Sequence, residues 1–127
     1  MPNILIIDDD EQIRTLIRRH LEADGHTVTD AATAVAGMQK YLEGRFDLVI
    51  TDILMPGKDG IELITELLEK KPDVKIIAIS GGGSCEPQLY LASSKYLGAS
   101  LTLAKPFRRE ELLQAVNQLL EQKPSQV

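Results

Sequence analysis

The sequence predicts an α/β domain: one doubly wound parallel sheet of five strands with helices on both faces. Two observations carry this expectation. Short apolar runs at Ile4–Ile7, Leu48–Ile50, Val74–Ile79 and Leu101–Leu103 suit strands buried on both faces, as in a sheet sandwiched between helices. Amphipathic segments at helical spacing separate them, and the strand–helix rhythm repeats five times. With 127 residues, the chain has the size of one domain that buries roughly two-thirds of its unfolded surface.

Each element has its own justification. After the first strand, Ile13, Leu16, Ile17, His20 and Leu21 fall at i, i+3, i+4, i+7 and i+8, one stripe of a helix that stops before Gly25. His26-Thr27-Val28-Thr29 alternates and is expected to be an edge strand. Val35, Met38 and Leu42 form a shorter stripe ending at Gly44. After Leu48–Ile50, the stripe Ile61, Ile64, Leu67 and Leu68 is closed by Lys70-Lys71-Pro72. Beyond Val74–Ile79, a weaker helical pattern covers about Pro87 to Leu97 (Leu89, Ala92, Tyr96). After Leu101–Leu103, the last stripe is Leu112, Leu113, Val116, Leu119 and Leu120. These elements make one domain over residues 1–122, with a frayed C-terminal tail over 123–127.

Composition limits the function. A net charge of -5 argues against nonspecific attraction to nucleic acid or to an anionic membrane. Arg14, Arg18 and Arg19 cluster, and the expected reading is a solvated helix face. A single cysteine, Cys85, excludes an internal disulfide and fits a reducing compartment; it reads as an inert thiol. No stretch resembles a signal peptide or the roughly 20 apolar residues of a membrane span, so the expected setting is the cytoplasm.

Ligands of open α/β sheets bind beyond the carboxyl ends of the strands. Asp8, Asp9, Asp10 and Glu11 follow the first strand, Thr51-Asp52 ends the third, Ser80-Gly81-Gly82-Gly83 the fourth, and Lys105 follows the fifth. The second offers Asp30, which carries no signal of its own. Each piece alone has a plainer reading. The acidic run could cap the first helix, with Asp10 as its cap, and Asp52 could simply precede the Met55-Pro56-Gly57 turn. Lys105 could be a surface lysine and Ser80 a loop serine. Together they make chemical sense, because Asp8, Asp9 and Asp52 brought close repel one another unless a cation sits among them. Such an oxygen set suits Mg²⁺, with positions left for phosphate oxygens. Lys105 and Ser80 would then serve other phosphoryl oxygens, and Asp52 is the best candidate nucleophile. His20 and His26 show no partner at metal spacing and receive no role.

At these residues the chain resembles the receiver domain of two-component response regulators. Ile4-Leu-Ile-Ile-Asp8-Asp9-Asp10 is similar to that family's first strand and acidic pair. Asp47-Leu-Val-Ile-Thr-Asp52-Ile-Leu-Met-Pro-Gly-Lys-Asp-Gly60 resembles the segment around its phosphorylated aspartate, Ser80 stands at its switch Thr/Ser position, and Lys105-Pro106-Phe107 resembles its lysine motif. The resemblance runs from about Asn3 to Leu120 and implies a flavodoxin-like sheet of order 2-1-3-4-5. It also implies Mg²⁺ held by Asp9, Asp52 and the backbone carbonyl of Leu54, with Asp8 acting through water. The implied donor of the phosphoryl group to Asp52 is a histidine kinase or phosphotransfer protein, and the implied output is contact with a downstream protein target, neither nucleic acid nor membrane. On this reading the chain is a phosphoacceptor switch rather than an enzyme. Leu54 and Gly82 offer no side chain to position a hydrolytic water, so slow self-dephosphorylation is expected. Thr102 departs from the pattern, standing where the family usually has Tyr or Phe. Two alternatives are a pseudo-receiver used only for binding and a phosphatase of the haloacid-dehalogenase type. The intact set Asp9, Asp52, Ser80 and Lys105 disfavours the first, and the position of Asp52 after the third strand disfavours the second.

Overall fold

The structure, a computed structural model, describes residues 2–53, 60–80, 100–105 and 107–121, apart from the side chains of Ile61 and Ser80. Strands are β1 (Asn3–Ile7), β2 (Thr27–Ala31), β3 (Leu48–Asp52), β4 (Ile76–Ser80) and β5 (Leu101–Ala104). The described helices are α1 (Glu11–Ala23), α2 (Ala34–Glu43), α3 (Gly60–Lys70) and α4 (Arg109–Glu121). The five strands form one sheet of order β2-β1-β3-β4-β5, with every neighbouring pair parallel. The expected fold and strand order are therefore both present. The expected helix near Pro87–Leu97, the Gly81–Gly83 loop, Cys85, the Met55–Gly57 turn, Leu54 and the tail over 123–127 lie outside the described residues.

The apolar runs are continuous because alternate residues feed two different cores. On one face Leu5, Ile7, Val49, Ile76 and Ala78 pack under α2 and α3, meeting Ala34, Tyr41, Leu63, Ile64 and Leu67. On the other, Ile4, Ile6, Leu48, Ile50, Ile77 and Ile79 meet Ile17 and Leu21 of α1 and Leu112, Ala115, Val116 and Leu119 of α4. Each fully buried Ile or Leu contributes about 1.5–3 kcal/mol relative to exposure. Helix ends follow the sequence signals. Asp10 caps α1, its carboxylate accepting from the N–H groups of Gln12 and Ile13. Gly25 adopts φ 90° just past the helix, a conformation that favours glycine.

Three expectations are corrected. First, only Met38 of the stripe Val35–Met38–Leu42 packs against the core, partly buried; Val35 and Leu42 are 66% and 59% exposed. Ala34, Gly37 and Tyr41 are buried instead. The reason is a close approach of α2 to β1, where a Cβ on Gly37 would lie 2.4 Å from Ile7 Cδ1. Tyr41 then stacks on Phe46, centroids 6.2 Å apart. Second, Leu16 is exposed although it belongs to the α1 stripe. Third, Val74 precedes β4 in a turn, its N–H donating to the Lys71 carbonyl. Similarly, β2 begins at Thr27 and takes the predicted edge position, with buried His26 just before it. Among the described residues no helix is long and apolar enough to cross a membrane.

Candidate functional site

Strand register builds the site. β1 and β3 are neighbours paired Ile7 to Thr51, so the next residues along, Asp8 and Asp52, leave the sheet side by side. Their backbones are anchored: Asp8 N–H donates to Ala31 O, and Ile53 N–H donates to Ile79 O. Both acids are buried, Asp8 at 1% and Asp52 at 5% exposure, whereas Asp9 is exposed. One carboxylate oxygen from each of Asp8, Asp9 and Asp52 falls within 4.8 Å of the other two. Lys105, just past β5, reaches across the sheet edge, its Nζ 3.2 Å from Asp52 Oδ2 and 3.3 Å from Asp8 Oδ2. Ser80 ends β4 and pairs with Ala104, beside Lys105 in sequence; its hydroxyl, like Leu54, lies outside the described residues.

The electrostatics follow from burial. The Asp8 carboxyl is pushed up to about 6, mainly because burial penalises its charged form; the neighbouring Asp52 charge adds to this. The Asp10 N–H, which donates to Asp8 Oδ1 at 2.9 Å, and the Lys105 ammonium act in the opposite direction. For Lys105, burial pulls downward, but the charges of Asp52 and Asp8 outweigh it and hold the ammonium above its ordinary value. Among the described residues three carboxylates cluster, and the ammonium of Lys105 pairs with two of them, leaving an all-oxygen donor set rich in negative charge. That chemistry fits a hard divalent cation such as Mg²⁺. By contrast, the hollow of about 620 Å³ between Tyr41, Arg45, Phe46, Lys70 and Lys71 contains none of these groups.

Sequence reasoning missed two residues beside the acids. Arg14 is not part of a solvated face: its side chain is only 17% exposed, and Nη1 donates to the Asp8 carbonyl at 2.9 Å. Its Nε lies 3.9 Å from Asp30 Oδ2. Asp30 also receives Arg18 Nη1 at 3.4 Å, while Lys40 Nζ donates to its carbonyl. A signal was present: Arg14 stands at i, with the buried Ile17 and Leu21 at i+3 and i+7, so it shares their inward face.

Comparison with known proteins agrees with this geometry. A family model described as response regulator receiver domain matches residues 4–117. Protein PetR of Rhodobacter capsulatus is 35% identical over 127 residues, covering 99% of this chain and 52% of PetR. The chain thus spans about half the length of that relative. Among solved structures, a response regulator receiver domain protein from Clostridium thermocellum superposes with TM-score 0.87 at 30% identity, over 94% of each chain. The response regulator protein TrrA from Thermotoga maritima, solved in complex with Mg²⁺ and BeF, gives TM-score 0.83 at 34% identity, over 94% of this chain and 99% of that one. With nearly the whole domain matched, and with the sheet order and strand-end acids in place, the chain belongs to the response regulator receiver domain family.

Proposed function

We propose that Asp52 accepts a phosphoryl group, with Mg²⁺ held at Asp9 and Asp52, and that the domain signals the change to a partner protein. The observation that carries this reading is Lys105 Nζ bridging the buried carboxylates of Asp8 and Asp52. It puts a fixed cation where a phosphoryl oxygen on Asp52 would stand. In the transfer, an oxygen of the Asp52 carboxylate forms the new O–P bond. The P–N bond of a phosphohistidine donor breaks, its nitrogen keeping the electron pair and taking up a proton. Mg²⁺, when bound, neutralises charge on the phosphoryl oxygens. The chain's own contribution is positioning: β1 and β3 fix the acids, and Lys105 turns from the two carboxylates to the new phosphoryl oxygen. By the family resemblance, Asp8 would act on the metal through water, the Leu54 carbonyl would serve as a further ligand, and the Ser80 hydroxyl would be a further donor to the phosphoryl group. That TrrA, 34% identical, was solved in complex with Mg²⁺ and BeF supports a metal in a receiver of this fold.

The donor would be a histidine kinase or histidine phosphotransfer protein, and the receiver of the signal a downstream protein. Thr102, half-buried on β5, stands in place of an aromatic switch residue, so the proposed output runs through Ser80 and the segment after β4. Intact mass after incubation with acetyl phosphate, with and without MgCl₂, tests the chemistry. The expected result is one added phosphoryl group that requires both MgCl₂ and Asp52, and none on Asp52→Asn. An unlabelled native chain, under conditions that label another receiver domain, would reject the proposal.

A further inference from the structure

Asp8 and Asp52 are fixed by burial, whereas Asp9 is exposed. Its direction depends on the peptide that joins it to Asp8. The carbonyl of that peptide accepts Arg14 Nη1 at 2.9 Å, while the Asp8 carboxylate is held separately by the Asp10 N–H and by Lys105. The guanidinium is committed to this contact at some cost. Arg14 Nε is buried with no hydrogen-bond partner, 3.9 Å from Asp30 Oδ2, so it pairs by charge with Asp30 without a hydrogen bond. An unmade bond at a buried donor is unfavourable, and a guanidinium free to turn would make it. Asp30 is itself held in place by Arg18 and, through its carbonyl, by Lys40. The orientation of Arg14 is therefore the one that serves the Asp8 carbonyl.

We infer that Arg14 is a positioning residue for the metal: by gripping the Asp8–Asp9 peptide it pre-sets the Asp9 carboxylate and so raises the affinity for Mg²⁺. The inference rests on the proposed function of the site. It gives α1 a second task besides packing, since one side chain ties the helix to the exit of β1 and to the end of β2. Groups that orient metal ligands without touching the metal are commonly worth about tenfold or more in affinity.

The test is titration of the ¹⁵N-labelled full chain with MgCl₂, followed by the amide shifts of Asp9 and Asp10, together with amide exchange at the same positions before metal is added. Native protein is compared with Arg14→Met, which keeps the apolar stem but has no donor, Arg14→Lys, and Arg19→Met as a control on the exposed side of the same helix. Arg14→Met is expected to bind Mg²⁺ about tenfold more weakly, with faster metal-free exchange at Asp9 and Asp10. Arg14→Lys, whose ammonium cannot serve Asp8 and Asp30 in the fork geometry, falls between, and Arg19→Met matches native. The acetyl phosphate labelling rate of Arg14→Met should fall at limiting MgCl₂ and recover at saturation, a split that general loosening of the fold would not produce. Native affinity in Arg14→Met overturns the inference and leaves the proposed function standing. Should Arg14→Met not fold, native affinity in Arg14→Lys overturns it equally. A labelling defect that saturating MgCl₂ does not repair also overturns it. A native chain that binds no Mg²⁺ overturns the proposed function and this inference together.

Discussion

Lys105 Nζ lies 3.2 Å from Asp52 Oδ2 across 53 positions of sequence, the contact that closes the sheet edge over the acids. The same nitrogen holds Asp8 Oδ2 at 3.3 Å, so one cation is shared by two buried carboxylates. Replacing Lys105 by Met separates its two tasks. Without the ammonium, the acids are less compensated and attract Mg²⁺ at least as strongly as before, while a phosphoryl group on Asp52 loses its fixed counter-charge. The expected outcome for Lys105→Met is native or tighter Mg²⁺ binding with labelling about 100-fold slower, by analogy with removal of one preorganised charge-stabilising group. Mass-resolved labelling rates at saturating MgCl₂ check it, and a native rate would remove Lys105 from the proposed chemistry.

Asp8 predicts a pH dependence with a definite sign. Its carboxyl is raised from 3.8 to about 6 in the folded protein, chiefly by burial. Between those values the folded state binds more protons than the unfolded one, so this residue's contribution to stability is full below pH 4 and is lost as pH rises through 6. The shift corresponds to about 3 kcal/mol. Asp8→Asn, which cannot ionise, should therefore be more stable than native metal-free protein at pH 7.5, and the difference should shrink to near zero at pH 4. Urea denaturation in EDTA at the two pH values measures it. Equal stability at pH 7.5 would mean that burial of Asp8 is relieved in solution.

Metal removal provides a third expectation. Because the folded state brings Asp8, Asp9 and Asp52 together, Mg²⁺ bound as proposed should stabilise by mass action, by about 2.7 kcal/mol at a free concentration one hundred times its dissociation constant. Thermal unfolding should shift upward with MgCl₂ and return on adding EDTA, and Asp9→Asn should blunt the response. Asp9 is the informative position because it is exposed, so its substitution removes a ligand with little effect on packing.

Part of the candidate site was legible in the sequence for a physical reason: parallel strands of one sheet end at the same edge. That rule puts Asp8, Asp9, Asp52 and Lys105 on one edge, but their meeting also needs β1 and β3 to be neighbours, an order that only the family resemblance implied. Lateral packing was less legible. The α2 stripe of Val35, Met38 and Leu42 is apolar, yet the buried side is Ala34, Gly37 and Tyr41. Hydropathy weighs a glycine as nothing, whereas here its missing Cβ lets the helix approach the sheet. Arg14 was misread for the converse reason. Charge suggested solvent, but the spacing to Ile17 and Leu21 put its stem inside, and its partner is a backbone carbonyl that composition does not reveal.

Gly37 yields a prediction in which two effects oppose each other. In an exposed helix interior, Gly→Ala stabilises by about 1 kcal/mol through helix propensity. Here the new Cβ would stand 2.4 Å from Ile7 Cδ1 and 2.6 Å from Cγ1, and Ile7 is wholly buried among the residues beneath α2. Overpacking of this kind costs about 1–3 kcal/mol and should win. Gly37→Ala is expected to lower stability, and Ile7→Val, which removes Cδ1 and leaves a small gap of its own, should lose part of its cost when the two are combined. A double-mutant cycle by urea denaturation reads that coupling directly, since the two side chains touch. Additive effects would show that α2 moves outward to admit the methyl group. Because Ile7 immediately precedes Asp8, the same variants should be titrated with MgCl₂: a changed affinity in Gly37→Ala that Ile7→Val restores would show that the packing of α2 on β1 reaches the acidic site.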